Sequence, residues 1–216
     1  MATNQLQIDI ISDVMCPWCI VGYRRLEQAL SQFDDLEVKL QWHPFELNPA
    51  MGPEGQHLGE HIAEKYGSTP EQSTQNRQRL TQMGADLGFE FNFSDASRIY
   101  NTLQAHQLLY WAAEAGKQTE LKLALFSSYF TDQKNPDDIE VLIEAATKVG
   151  LDADEARAVL TDKRFETAVK EEEQLWISRG IQAVPAIVFN QQYLVSGAQD
   201  PDTIAELISK LTTEDA

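Results

Sequence analysis

Cys16 and Cys19 are the only two cysteines in the chain, and only Pro17 and Trp18 separate them. Two cysteines scattered at random over such a length would fall three apart on the order of one time in a hundred, so the pair reads as a unit. At the start of a helix, residues i and i+3 share a face with Cα atoms about 5–6 Å apart, within disulfide reach. A bridge there closes a very small loop and constrains the unfolded chain little, so it would be a poor staple. It suits reversible redox chemistry better. Pro17 favours the first helical position, because its φ is already helical and its missing N–H had no partner there. Cys16 then falls at the N-cap, where free N–H groups and the helix dipole favour an anion. A thiolate with a lowered pKa is expected at Cys16, and the thiolate is the form that attacks a disulfide. Cys19, one turn inward, would resolve the mixed disulfide. Two inert buried thiols or half of a zinc site are the competing readings. Zinc usually takes four ligands and there is no second cysteine pair, so no metal is expected.

The pair needs a strand before it and a helix after it, and the pattern supplies both. Leu6, Ile8 and Ile10 alternate with Gln7 and Asp9 and lead into Ile11, as in a strand that becomes buried at its end. Ile20, Tyr23, Leu26, Leu30 and Phe33 then recur every three or four residues, the apolar stripe of a helix packed on a sheet. Val38, Leu40 and Trp42 alternate with Lys39, Gln41 and His43 in a second strand. Strand, helix and strand of this length predict a parallel βαβ unit.

From Asn48 the pattern changes. No strand-like alternation is visible until residue 186, and helices are expected over roughly 57–66, 70–87, 95–115, 119–131, 137–149 and 152–160, with cap signals at several of their starts. A long helix over about 163–179 ends at Gly180. Ala186–Phe189 and Tyr193–Val195 flank the turn Asn190-Gln191-Gln192 as a hairpin, and Asp200-Pro201-Asp202 caps a terminal helix. The division that follows is an α/β domain of residues 1–48 and 162–216, with a helical subdomain over 49–161 inserted into it. A proline at a strand's first position, as at Val184-Pro185, can be an ordinary edge residue.

The order of these pieces resembles the thioredoxin-fold superfamily, specifically DsbA-like oxidoreductases with a helical insertion and most closely the FrnE-like cytoplasmic branch. Three stretches carry the resemblance: Ser12-Asp13-Val14-Met15-Cys16-Pro17-Trp18-Cys19, Asn101-Thr102-Leu103-Gln104-Ala105-His106 and Gly180-Ile181-Gln182-Ala183-Val184-Pro185-Ala186. It implies a thioredoxin-like α/β fold with a large α-helical insertion. It also implies a cis Val184-Pro185 bond facing the cysteines, and a Val184 backbone able to pair with an extended substrate strand. Pro17, Trp18, Val184 and Pro185 are thus the expected substrate contacts, around Cys16 as nucleophile and Cys19 as resolving thiol.

The activity expected is thiol–disulfide exchange with a cysteine-containing protein or peptide, or with a small thiol such as glutathione, and without a bound cofactor. The alternative is a glutathione-dependent isomerase or transferase, similar to the kappa-class transferases and the 2-hydroxychromene-2-carboxylate isomerases, which generally carry Ser where Cys16 stands. A non-catalytic binding module is the third class. A net charge of −17 argues against nucleic acid and anionic membranes as partners. The opening residues lack a basic n-region and an apolar h-region, and no run of 18 apolar residues occurs, so a cytoplasmic, reducing location is expected. His57-Leu58-Gly59-Glu60-His61 fits the His-x-x-Glu-His pattern of one zinc peptidase class, but Gly59 weakens that helix and no further ligand is specified. His43 and His106 are expected to have no catalytic role, and Glu171-Glu172-Glu173 reads as a solvated helix face.

Overall fold

The computed structural model describes residues 5–214. Strand β1 (Gln5–Ser12) runs into helix α1 (Pro17–Leu30), and the chain returns in β2 (Glu37–Pro44), parallel to β1 with Ile8 opposite Leu40 and Ile10 opposite Trp42. Strands β5 (Ala186–Phe189) and β6 (Tyr193–Ser196) form an antiparallel hairpin, with β5 laid against the other edge of β1. The order across the sheet is β2-β1-β5-β6. This is the thioredoxin-like arrangement expected, with the helices in sequence between β2 and β5. The hairpin turn places Asn190 and Gln191 at positive φ without a glycine, and Asn190 is tied back to β1 through its side-chain oxygen and its N–H.

Helices α2 (Leu58–Tyr66), α3 (Pro70–Asp86), α4 (Leu103–Glu114), α5 (Gln118–Phe126), α6 (Ile139–Lys148), α7 (Ala153–Asp162) and α8 (Glu166–Ser178) follow β2, and α9 (Pro201–Glu214) closes the chain. Three details differ from the sequence reading. A helix over 95–115 is too long: Arg98–Ile99 (β4) pairs with Gln56–His57 (β3), and the helix starts only at Leu103, whose N–H is received by the Asn101 side chain. Two-residue strands carry no alternation, which is why they left no pattern. The helix expected over 119–131 widens after Phe126 into a π-helical turn, with the Asp132 N–H bonded to the Ser127 carbonyl. Lys163, at positive φ, breaks α7 from α8, so the latter begins at Glu166.

Alternation along β1 sends Leu6, Ile8 and Ile10 to the face covered by α1 and α9, and Asp9 and Ile11 to the face covered by α8. The first face is continuous with the apolar interior of the inserted helices. Tyr23 and Phe126 pack on either side of Trp42, with ring centroids 4.9 and 6.3 Å away. Trp42 lies on the outer strand, and its backbone N–H and carbonyl are both engaged at 2.9 Å by the side-chain amide of Gln118. That amide takes the place a neighbouring strand would occupy.

The opposite face holds a polar latch. His43 follows the solvent-facing phase of Lys39 and Gln41, but α8 covers this end of β2 and His43 is buried. Its Nε2 lies 2.9 Å from Asp9 Oδ1, its Nδ1 contacts the Glu172 carboxylate, and its ring lies against Trp176. Glu173 accepts the Glu46 N–H. The acidic run on α8 is therefore not simply a solvated face: Glu171 is exposed, whereas Glu172 and Glu173 tie α8 to the sheet. Burial disfavours the imidazolium, but Asp9 and Glu172 outweigh it and raise the His43 pKa above 6.5. A raised folded-state pKa contributes stability that is fully present below about pH 6.5 and lost as pH rises through the folded value. Unfolding followed by Trp176 fluorescence should therefore show stability falling above pH 6.5. His43→Gln should flatten that slope, and an unchanged slope would refute the latch.

Candidate active site at the tip of helix α1

The two cysteines sit where β1 hands over to α1. Cys16 is in extended conformation at the N-cap with Pro17 as the first helical residue, and its side chain makes no capping hydrogen bond. The turn is closed by the Cys16 N–H to the Asp13 carbonyl and the Cys19 N–H to the Cys16 carbonyl, 3.2 and 3.0 Å. Both thiols are free and the cysteines approach to 3.4 Å, well beyond the roughly 2.05 Å of a disulfide. Cys19 is fully buried, whereas Cys16 keeps 4% of its surface. Contact with another molecule is thus possible at Cys16 alone.

The Val184–Pro185 peptide is cis and lies against the same turn. The Cys16 thiol points at the Val184 carbonyl, 3.6 Å away. Pro185 is buried, and its carbonyl accepts the Gly197 N–H at 2.8 Å, where Gly197 takes a positive φ as the chain leaves the hairpin. From below, α1 presents Gly22 to the proline ring, and a Cβ on Gly22 would stand 3.2 Å from Pro185 Cγ. Trp18 is 39% exposed beside Cys16, and Pro17 is half-buried. All six residues expected from the sequence are therefore gathered around one turn.

Four groups lie behind the sulfurs: His106, expected to have no catalytic role, and Ser12, Asp13 and Lys122, to which the sequence reading gave no role. Asp13 is buried, and its carboxylate accepts the Met15 N–H at 3.2 Å and the Leu47 N–H at 2.7 Å. His106 Nε2 lies 3.2 Å from the Phe45 carbonyl and 3.7 Å from Asp13 Oδ1. Burial raises the Asp13 pKa, yet His106, the Leu47 N–H and Lys122 outweigh it and hold the carboxyl below 3.8. Lys122 is completely buried, with its Nζ 3.3 Å from the Ser12 carbonyl and over the rings of Trp42 and Phe126. Ser12 Oγ is buried beside Cys19 without a hydrogen-bond partner in the reduced site, available to an ionised sulfur. One sequence signal could have found the lysine. Lys122, Leu125, Phe126 and Tyr129 recur at 0, 3, 4 and 7, so the cation lies on an apolar stripe where a leucine would be ordinary.

The electrostatics correct the expected thiolate. The hydrogen bond to Cys19 and burial push the Cys16 thiol well above its usual value, and the Asp13 charge adds to this. Cys19 is also opposed by burial, but the Cys16 thiol, the Ser12 hydroxyl and Lys122 outweigh it and hold its pKa below 9.0. The two sulfurs therefore titrate as a pair, losing the first proton readily and the second with difficulty. Tyr66, 60% exposed at the end of α2, has its phenol pKa raised by burial and then by the charge of Cys16. The two histidines of the 57–61 segment go separate ways, His57 to the Asp95 carbonyl and His61 to the Gln56 side chain.

A mixed sheet of this topology, a Cys-x-x-Cys helix tip and a proline-led strand together define the thioredoxin-like class. Residues 7–209 match the DSBA-like thioredoxin domain, and the chain belongs to that family. A probable DsbA oxidoreductase from Streptomyces coelicolor is 32% identical, with a TM-score of 0.91 over 97% of this chain and 91% of that one. An uncharacterized protein of Bacillus subtilis, YwbO, is 26% identical over 205 residues, covering 94% of this chain and 96% of its own. The cytosolic disulfide reductase DsbM of Pseudomonas aeruginosa, solved with glutathione, shares the fold at 16% identity and a TM-score of 0.64, over 96% of this chain and 99% of that one.

The fit between Gly22 and Pro185 gives a test. Gly22→Val should cost about 1–3 kcal/mol through overpacking, despite replacing a helical glycine. It should also slow thiol exchange by displacing Pro185 from Cys16. A variant as stable and as fast as the parent would show that this contact positions nothing.

Proposed function

We propose that the protein is a thiol–disulfide oxidoreductase in which Cys16 is the nucleophile and Cys19 the resolving thiol. The observation that carries this is the approach of the two thiols to 3.4 Å at a helix tip, one reachable and one enclosed, with the Val184 carbonyl facing the reachable one. Membership of a family of DSBA-like domains supports it. In the reducing direction, the Cys16 thiolate attacks one sulfur of a substrate disulfide. A Cys16–substrate disulfide forms, and the other substrate sulfur leaves as a thiolate. Cys19, deprotonated, then attacks Cys16 Sγ. The Cys16–Cys19 bond forms, the mixed disulfide breaks, and the second substrate sulfur leaves with the electron pair. Two electrons have passed to the substrate, and the same steps run backwards oxidise a dithiol.

Trp18, Pro17, Val184 and Pro185 are the surfaces on which a cysteine-bearing segment would rest, with Tyr66 added from the structure. The exposed Trp18 beside the sulfur favours a peptide or a conjugated small thiol over a bare inorganic partner. The cytosolic reductase solved with glutathione makes a reducing compartment and its glutathione pool the setting to test first, in keeping with a FrnE-like assignment. Among the described residues no helix is long and apolar enough to cross a membrane. An isomerase of the glutathione-dependent kind has no evident use for a second thiol 3.4 Å behind the first.

Cys19→Ala should trap a stable mixed disulfide on Cys16, read as an added mass after incubation with oxidised glutathione or a disulfide-bearing peptide. Cys16→Ser should form none. Failure of Cys19→Ala to form an adduct with either substrate would remove the exchange reading. Full activity of Cys16→Ser on a small conjugated substrate would instead favour the isomerase.

A further inference from the structure

We propose that Lys122, delivered by the inserted helix α5, is the positioning residue that places negative charge on the Cys16–Cys19 pair and so sets the equilibrium between its dithiol and disulfide forms. This rests on the exchange reading and deepens it. Lys122 is one of the largest fully buried side chains in the protein. Its ammonium makes one hydrogen bond, to the Ser12 carbonyl at 3.3 Å, and otherwise lies over the rings of Trp42 and Phe126, 5.4 and 5.3 Å to the centroids. An ion taken so completely out of water requires an anion to offset its lost hydration. Asp13 is one, but its oxygens already serve two backbone N–H groups, with His106 beside them. The cysteine pair is the other. The orphaned Ser12 hydroxyl next to Cys19 is a second, independent sign that this pocket is built for a charged sulfur.

The titratable groups nearest Lys122 are Cys16, Cys19 and Asp13. His106 lies beyond Asp13, and His43 and Glu172 face Lys122 across a small void that all three line. Burial brings the Lys122 pKa down to about 8, against the pull of the thiols and Asp13.

Lys122→Met nearly keeps the volume and removes the charge. In the folded variant, thiolate absorbance near 240 nm should appear at higher pH, with the first ionisation constant lower by about tenfold or more. With the thiolate less favoured, the reduced form loses stability. Equilibrium with glutathione should therefore shift at least tenfold toward the intramolecular disulfide, about 30 mV more negative for this two-electron couple. Unchanged absorbance and unchanged equilibrium would overturn the proposal. Should Lys122→Met fail to fold, the parent protein decides. The coupling is reciprocal, so the Lys122 Nζ followed by NMR must titrate lower in the oxidised form, where the sulfur charge is gone. Equal midpoints in the two redox states would overturn it. If the parent pair exchanges with no disulfide but Lys122 still titrates with the redox state, the charge coupling stands and the proposed activity falls.

Discussion

The carboxylate of Asp13 is the constraint on which the site depends. It receives the Met15 N–H from the turn that carries Cys16 and the Leu47 N–H from the loop that follows β2, and so joins two segments 34 residues apart beneath the sulfurs. An unpaired carboxylate buried so deeply would be costly. Here two N–H donors, His106 and Lys122 surround it, and each comes from a different part of the chain. The turn is therefore held by groups from both the βαβ unit and the inserted helices. Asn101 reinforces the same junction, since its side chain donates to Glu46 and to the Pro49 carbonyl while accepting the Leu103 N–H.

This dependence changes the meaning of the helical insertion. Read as a separate subdomain, α2 to α7 would be a lid on a finished α/β unit. Trp42, Phe126, Leu108 and Leu125 instead belong to one continuous apolar interior with Ile8, Cys19 and Ile20. The helices close one side of the sheet's core, bring the Lys122 cation toward the inner sulfur and set the His106 imidazole beside Asp13. Chemistry here is divided between the two parts of the sequence. The sulfurs, the proline, Ser12 and Asp13 come from the α/β portion, and Lys122 comes from the insertion.

Much of the frame was legible in the sequence, because each piece of it has a periodic or punctuated signature. The β1 alternation, the α1 stripe, Pro17 at the first helical position and the hairpin around Asn190 all stand where their patterns placed them. That six residues would meet at the tip of α1 was legible for the same reason: a cysteine spacing and an X-Pro before a strand are local features. What could not be read was set by distant packing. Asp9 and His43 lie on an outward phase of their strands and are buried only because α8 lies across them. Glu172 and Glu173 look like surface charge until that same helix is docked. The reversal between Cys16 and Cys19 has the same origin. Helix geometry alone favours an anion at Cys16, but Lys122 and Ser12 approach from the other side, and neither adjoins the Cys-x-x-Cys motif.

The Gln118 amide, clasped to both backbone groups of Trp42, has an implication for traffic around the molecule. An unpaired sheet margin invites any extended chain to add itself as the next strand. With this one side chain mimicking a neighbour, the Trp42 end of the β2 margin offers no free backbone pair to an incoming strand. A single amide thereby guards that end of the margin against edge-to-edge pairing with another strand.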